Sequence, residues 1–135
     1  MAGLVHRDLK YLNILISIQS NDLPKIKITD FGQTVKLNSN EYIAKLGGTV
    51  GFIAPEVLQN QPSDSKSDIW SLGVILYSLV SSRVPFCGNN KAETIEATVN
   101  KPLVFKKRVW TTISEECKDL LSGMLDKDQN TRLDI

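Results

Sequence analysis

An α+β fold, mostly α, is what this 135-residue sequence predicts, and three features carry the expectation. Two short runs near the N-terminus, Ile14-Leu15-Ile16 with Ile18 and Ile26-Lys27-Ile28-Thr29, are β-branched or alternate apolar with polar, as strands do. From Ser65 onward apolar residues recur at helical spacing behind capping residues. The length suits a single domain, which at this size buries roughly two thirds of its unfolded surface.

Between the two strands, Ser20-Asn21-Asp22-Leu23-Pro24 is turn chemistry, so they form a small hairpin. That hairpin would hold Asn13 at its start and deliver Asp30 at its finish. From Gln33 to Thr49 periodicity is weak, and Asn38, Ser39, Asn40, Gly47 and Gly48 favour loop conformations. Ser65 with Asp68 resembles a capping box opening a helix through Ile69 to Val80, apolar enough to be buried on nearly all sides. That run is far short of the roughly twenty residues needed to cross a bilayer. Asn90 with Glu93 opens a second helix, with Ala92, Ile95 and Val99 on one face. Ser114 caps a third, Glu115 and Glu116 suit its positive end, and Cys117, Leu120, Leu121, Met124 and Leu125 follow at helical spacing. Pro85 and Pro102 mark the intervening loops. Neither repeats nor low-complexity tracts interrupt the chain, and no linker suggests a second domain.

Sixteen basic residues against fifteen acidic ones leave the net charge near zero, so bulk electrostatics argue for neither a nucleic-acid nor a membrane partner. Cys87 and Cys117 show no metal-type spacing, and without a basic-then-apolar leader the expectation is a reduced, intracellular, cytoplasmic chain.

The chemistry concentrates in His6-Arg7-Asp8-Leu9-Lys10, Asn13 and Asp30-Phe31-Gly32. Asp8 can orient and deprotonate an attacking hydroxyl, while Asn13 and Asp30 offer hard oxygen ligands to magnesium on a nucleoside triphosphate. This is the pattern of a phosphoryl-transfer site. The string resembles the catalytic loop and magnesium-binding segment of eukaryotic protein kinases. Gly48-Thr49-Val50-Gly51-Phe52-Ile53-Ala54-Pro55-Glu56 resembles the end of their activation segment, and Asp68-Ile69-Trp70-Ser71-Leu72-Gly73 the start of the buried helix that follows. The resemblance runs from about residue 3 to the C-terminus and implies a protein-kinase-like C-terminal lobe with a small β-hairpin beside the catalytic loop.

It further implies ATP and Mg2+ as cofactors, protein substrates, and roles residue by residue. Asp8 would take the substrate proton, Lys10 would face the γ-phosphate, and Thr49 would support both. Lysine at that position resembles the serine/threonine branch, so the acceptor is expected to be serine or threonine. Asn13 and Asp30 would hold the metal, Leu15 would floor the adenine, and His6 would pack structurally beside Phe31. Asp68 would bond backbone groups of the catalytic loop, Arg132 would pair with Glu56, and Gly48 to Gly51 with Phe52 would receive the substrate residue after the acceptor. Arg7 beside Asp8 resembles kinases ordered by activation-segment phosphorylation, since a guanidinium clamps phosphate.

Two departures stand out. Ala44-Lys45-Leu46-Gly47 occupies the stretch where many relatives carry a threonine, leaving Thr34, Ser39 and Tyr42 as acceptors, and Tyr11-Leu12 replaces the common Pro-Glu before Asn13. The second alters how a basic substrate side chain is received. The overall pattern is most similar to calcium/calmodulin-dependent and calcium-dependent kinases, which implies calcium-sensor regulation of the full-length protein. Residues 1–135 thus read as a partial protein kinase domain, from the catalytic loop onward, with no Gly-rich phosphate cover or strand lysine. An apolar patch is expected near the helix around Trp70, where a preceding helix would pack. The alternative is a pseudokinase-like interaction module, against which stand Asp8, Lys10, Asn13 and Asp30. A metal hydrolase built on Asp8, Asn13 and Asp30 lacks a second histidine or nucleophile motif.

Overall fold

A computed structural model describes residues 3–18, 23–37, 47–106 and 108–134. The expected hairpin is present: β2 (Ile14–Ser17) runs antiparallel to β3 (Lys25–Ile28), with Ile14 opposite Ile28 and Ser17 opposite Lys25. Ile18 and Thr29 fall just outside these strands, and of the anticipated turn Ser20, Asn21 and Asp22 lie outside the described residues. A second ladder pairs β1 (Leu4–Val5) with β4 (Val35–Lys36). Strands of two residues carry no readable period, and β4 corrects the start of what the sequence suggested was irregular. Gly3 continues this ladder, its carbonyl accepting the Leu37 N–H at 2.7 Å, and its φ of +56° brings it so close that a Cβ would meet the Leu37 oxygen at 2.9 Å.

Behind the hairpin lies a helical body formed by α1 (Pro55–Leu58), α2 (Lys66–Ser81), α3 (Lys91–Asn100) and α4 (Glu115–Met124). Its core gathers Trp70, Val74 and Tyr77 of α2 with Phe86, Ala97, Trp110, Leu121 and Leu125. Trp70 stacks on Phe86, centroids 5.5 Å apart, and the Tyr77 hydroxyl donates to the Val104 carbonyl at 2.9 Å. Gly73 lets α4 approach: a Cβ there would meet Met124 at 2.9 Å.

Several local expectations need correction. Ser65 does not cap α2, because its own backbone is already helical and its side chain makes no capping bond. Asp64 does that work, its carboxylate accepting the Lys66 N–H at 2.8 Å and its carbonyl the Ser67 hydroxyl at 2.8 Å. Nor is α2 buried all round, since Leu79 is 71% exposed. Trp70 and Val74 are wholly covered, and apolar exposure falls on Leu79 of α2 and on the hairpin, where Leu15, Ile16, Ile26 and Ile28 are all exposed. On α3 the capping box forms, Glu93 N–H donating to Asn90 Oδ1 at 2.9 Å, but the buried positions are Ala97 and Thr98, while Ala92 is exposed and Ile95 and Val99 are half-buried. On α4 Ser114 accepts the Cys117 N–H as expected, and Leu121 and Met124 are buried, whereas Leu120 faces solvent.

The body is closed by a buried ion pair. Arg132 donates to both oxygens of Glu56, at 2.7 and 2.8 Å, with side-chain exposures of 0% and 3%. Cys87 and Cys117 are free, and among the described residues no helix is long and apolar enough to cross a membrane.

Candidate active site

The loop from His6 to Asn13 is held from below by α2. The Asp68 carboxylate accepts the backbone N–H of His6 at 2.7 Å and that of Arg7 at 2.9 Å. Those two bonds fix the left-handed backbone of Arg7, φ +70°, which a side chain-bearing residue adopts only when its surroundings impose it. Burial raises the Asp68 pKa, and the backbone donors work against that rise.

His6 is buried and both its ring nitrogens are occupied. Nε2 lies 3.0 Å from the Thr29 carbonyl and so carries the proton, leaving Nδ1 to accept the Asp8 N–H at 3.3 Å. Its ring meets Phe31 edge-on at 5.2 Å. A histidine so committed is a brace between the loop and the end of β3.

Asp8 stands at the centre of a closed triangle. Its Oδ2 accepts Lys10 Nζ at 2.7 Å, its Oδ1 accepts the Thr49 hydroxyl at 2.7 Å, and Lys10 Nζ also donates to Thr49 Oγ1 at 2.9 Å. Burial pushes the carboxyl pKa up, but Lys10, Thr49 and Asn13 outweigh it and hold the group below its ordinary value. The carboxylate is therefore ionised at neutral pH.

Asn13 ends a 3₁₀ turn, Tyr11–Asn13, and its Nδ2 donates to the Asp8 carbonyl at 2.8 Å. With that nitrogen engaged, the free atom of the amide is the oxygen Oδ1. The Asn13 carbonyl accepts the Thr29 N–H at 2.9 Å, so Asn13 faces the residue just before Asp30 across the open mouth of the hairpin. Asp30 is exposed, with a left-handed backbone at φ +63°. Asn13 and Asp30 thus stand at one mouth, and a pair of hard oxygens suits Mg2+, which takes one or two protein ligands and completes its shell with phosphate and water. Among the described residues no three His, Cys, Asp or Glu side chains group as a protein-only cage. Leu15 lies on β2, 54% exposed.

The returning segment meets this loop through glycines. Gly48, φ +101°, sits so close that a Cβ would meet the Arg7 carbonyl at 2.7 Å, and a Cβ on Gly47 would meet Arg7 Nη2 at 2.8 Å. Phe52 packs edge-on against Tyr11 at 5.2 Å, and its carbonyl accepts the Ser71 hydroxyl of α2 at 2.8 Å. Neither contact has a sequence signal, because each joins residues far apart in the chain. Of the anticipated phosphorylation positions, Thr34 has an enclosed hydroxyl with no hydrogen-bond partner among the described residues. Ser39 and Tyr42, like Ala44, Lys45 and Leu46, lie outside the described residues.

A braced carboxylate paired with a lysine and a threonine stands beside Asn13 and Asp30 at the hairpin mouth. The chain belongs to the protein kinase family: the profile of the protein kinase domain matches residues 1–135. It is 40% identical over 131 residues to calcium-dependent protein kinase 22 of Oryza sativa subsp. japonica, covering 97% of this chain and 22% of that protein. It is 37% identical over 131 residues to serine/threonine-protein kinase PEPKR2 of Arabidopsis thaliana, covering 97% of the chain and 27% of the relative. It is 39% identical over 131 residues to smooth-muscle myosin light chain kinase of Gallus gallus, covering 97% of the chain and 7% of the relative. The chain thus spans little more than a quarter of these relatives at most.

Proposed function

We propose that this chain is the catalytic lobe of a serine/threonine protein kinase, moving the γ-phosphate of ATP to protein hydroxyls. The observation that carries the reading is the Asp8–Lys10–Thr49 triangle, which sets a low-pKa carboxylate beside a cation at one end of the metal-oxygen mouth. Phosphoryl transfer asks a protein mainly for alignment and charge neutralisation. Asp8 would orient the acceptor hydroxyl and take its proton as that oxygen bonds the γ-phosphorus and the bond to the leaving diphosphate breaks. Lys10 would lie against the γ-phosphate oxygens, and Thr49 would keep both groups in register. Mg2+, held by Asn13 and Asp30, would neutralise phosphate charge; Leu15 would lie under the base.

Residues 1–135 supply the floor of such a site, and the phosphate cover and its lysine have to come from outside them. The 135-residue chain alone is therefore expected to transfer phosphate at a negligible rate, since losing even one preorganised donor costs about 2.7–4 kcal/mol of transition-state stabilisation. The name of the first relative supports calcium control of the whole protein, and the free cysteines suit a reducing cytoplasm.

The test is ATP-dependent phosphorylation of serine, threonine and tyrosine peptides by the full-length protein. Asp8→Asn should lower transfer by about 10²–10⁴-fold, the usual range for a general base, while Mg2+-dependent nucleotide binding persists. Full activity in that variant defeats the assignment, and robust turnover by the isolated 135-residue chain defeats the two-part reading.

A further inference from the structure

We infer that the peptide groove beside this site selects an acidic side chain close to the phosphorylated residue, with Lys91 as the residue that reads it. The inference rests on the kinase reading above. Gly48, Thr49 and Val50 form one wall of a groove of about 540 Å³, and Asn90, Lys91 and Thr94 at the start of α3 form the other. Thr49 is the same residue whose hydroxyl bonds Asp8, so the groove opens directly beside the catalytic carboxylate. A peptide whose acceptor hydroxyl reaches Asp8 must run its neighbouring residues past this wall.

Among the described residues the lining is neutral apart from one charge, and that charge is positive. Glycine, valine, two threonines and an asparagine surround Lys91, and among the described residues no carboxylate lines the groove. Lys91 is exposed and joins no ion pair among them. Glu93, the nearest acid along α3, is already engaged. Its Oε2 accepts the Asn89 N–H at 2.8 Å and the Asn89 amide at 2.9 Å, and its Oε1 accepts the Asn90 amide at 3.0 Å. Residues two apart on a helix also point to different sides, so Glu93 cannot neutralise Lys91.

The opposite flank of the loop offers a basic side chain nothing better. Tyr11 is turned against Phe52, and Leu12 is 83% exposed, so the surface there is aromatic and aliphatic. The Asp8 carboxylate is itself bonded to Lys10 and Thr49. An arginine or lysine in the substrate would leave water for uncharged surface, whereas an aspartate or glutamate gains a cation. Specificity built this way is a difference between partners.

An exposed ion pair has modest strength, so the expected preference is about two- to fivefold in kcat/KM for Asp or Glu over Ala at one position near the acceptor. The experiment is a positional-scanning peptide library phosphorylated by the full-length protein, its Lys91→Gln variant and its Lys91→Glu variant. Lys91→Gln should flatten the acidic preference and Lys91→Glu should turn it toward Lys and Arg. Both changes should fall on KM, and the preference should shrink at high salt. A basic preference in the unaltered protein, or a profile unmoved by Lys91→Glu, overturns the inference and leaves the kinase reading standing. Absence of transfer to every peptide overturns the kinase reading, and this inference with it.

Discussion

Replacing Arg132 with methionine removes one half of the pair that closes the helical body. The consequence follows from burial. Glu56 is 3% exposed, so water cannot take the place of the two donors lost at 2.7 and 2.8 Å. Arg132 also donates to the Asp126 carbonyl at 2.8 Å and the Lys66 carbonyl at 3.1 Å, and its guanidinium lies 5.1 Å from the Trp70 ring. Stranding a buried charge in this way costs about 3–5 kcal/mol. Domains of this kind are stable by only about 5–15 kcal/mol, so the loss is about a fifth of the total or more. With a urea slope of about 2 kcal/mol/M, the unfolding midpoint of Arg132→Met should fall by roughly 2 M. The double variant Glu56→Gln with Arg132→Met, which strands no charge, should recover part of the loss and yield a coupling of about 1–3 kcal/mol. A midpoint shift below about 0.3 M for the single variant would refute the reasoning, because Glu56 would then have found other company.

Three further outcomes are expected. The folded pKa of Asp8 is lowered, so its contribution to stability is present above its ordinary value of 3.8 and is lost as pH falls through the folded value; Asp8→Asn should remove that acid-side dependence in pH-resolved denaturation. Asp68→Ala strands two loop N–H groups and should cost about 2–4 kcal/mol, with faster hydrogen exchange at His6 and Arg7, while protection of those amides unchanged from the parent would contradict the anchor. Ser114→Ala and Asp64→Ala should each cost about 1 kcal/mol as lost caps, whereas Ser65→Ala should stay within about 0.5 kcal/mol, and thermal melts showing the reverse order would restore the sequence-based cap.

What could be read from the sequence was whatever is local or carried by a compact motif. The hairpin, the Asn90–Glu93 box and the Ser114 cap each depend on residues within a few positions, and each forms. The pairing of Arg132 with Glu56 and the anchoring of the loop by Asp68 were legible only through family resemblance, since nothing in their spacing brings such distant residues together. Ser65 failed as a cap because Asp64, one place earlier, competes for the same helix start with a carboxylate. The buried positions of α3, Ala97 and Thr98, were not legible because its apolar residues are few and Thr98 turns inward by bonding the Thr94 carbonyl. The Tyr11–Phe52 contact and the groove at Lys91 depend on how the returning segment crosses the loop, which no period encodes.

The first two turns of α2 touch both extremes of the chain. Lys66 lends its carbonyl to Arg132, and Asp68, two residues on, grips the backbone that leads into Asp8. A defect near Arg132 can therefore disturb the loop that carries Asp8, far away in the sequence, without touching any group proposed to meet phosphate. Loss-of-function substitutions should therefore cluster along this short relay, distant from the Asp8 carboxylate yet acting on its aim.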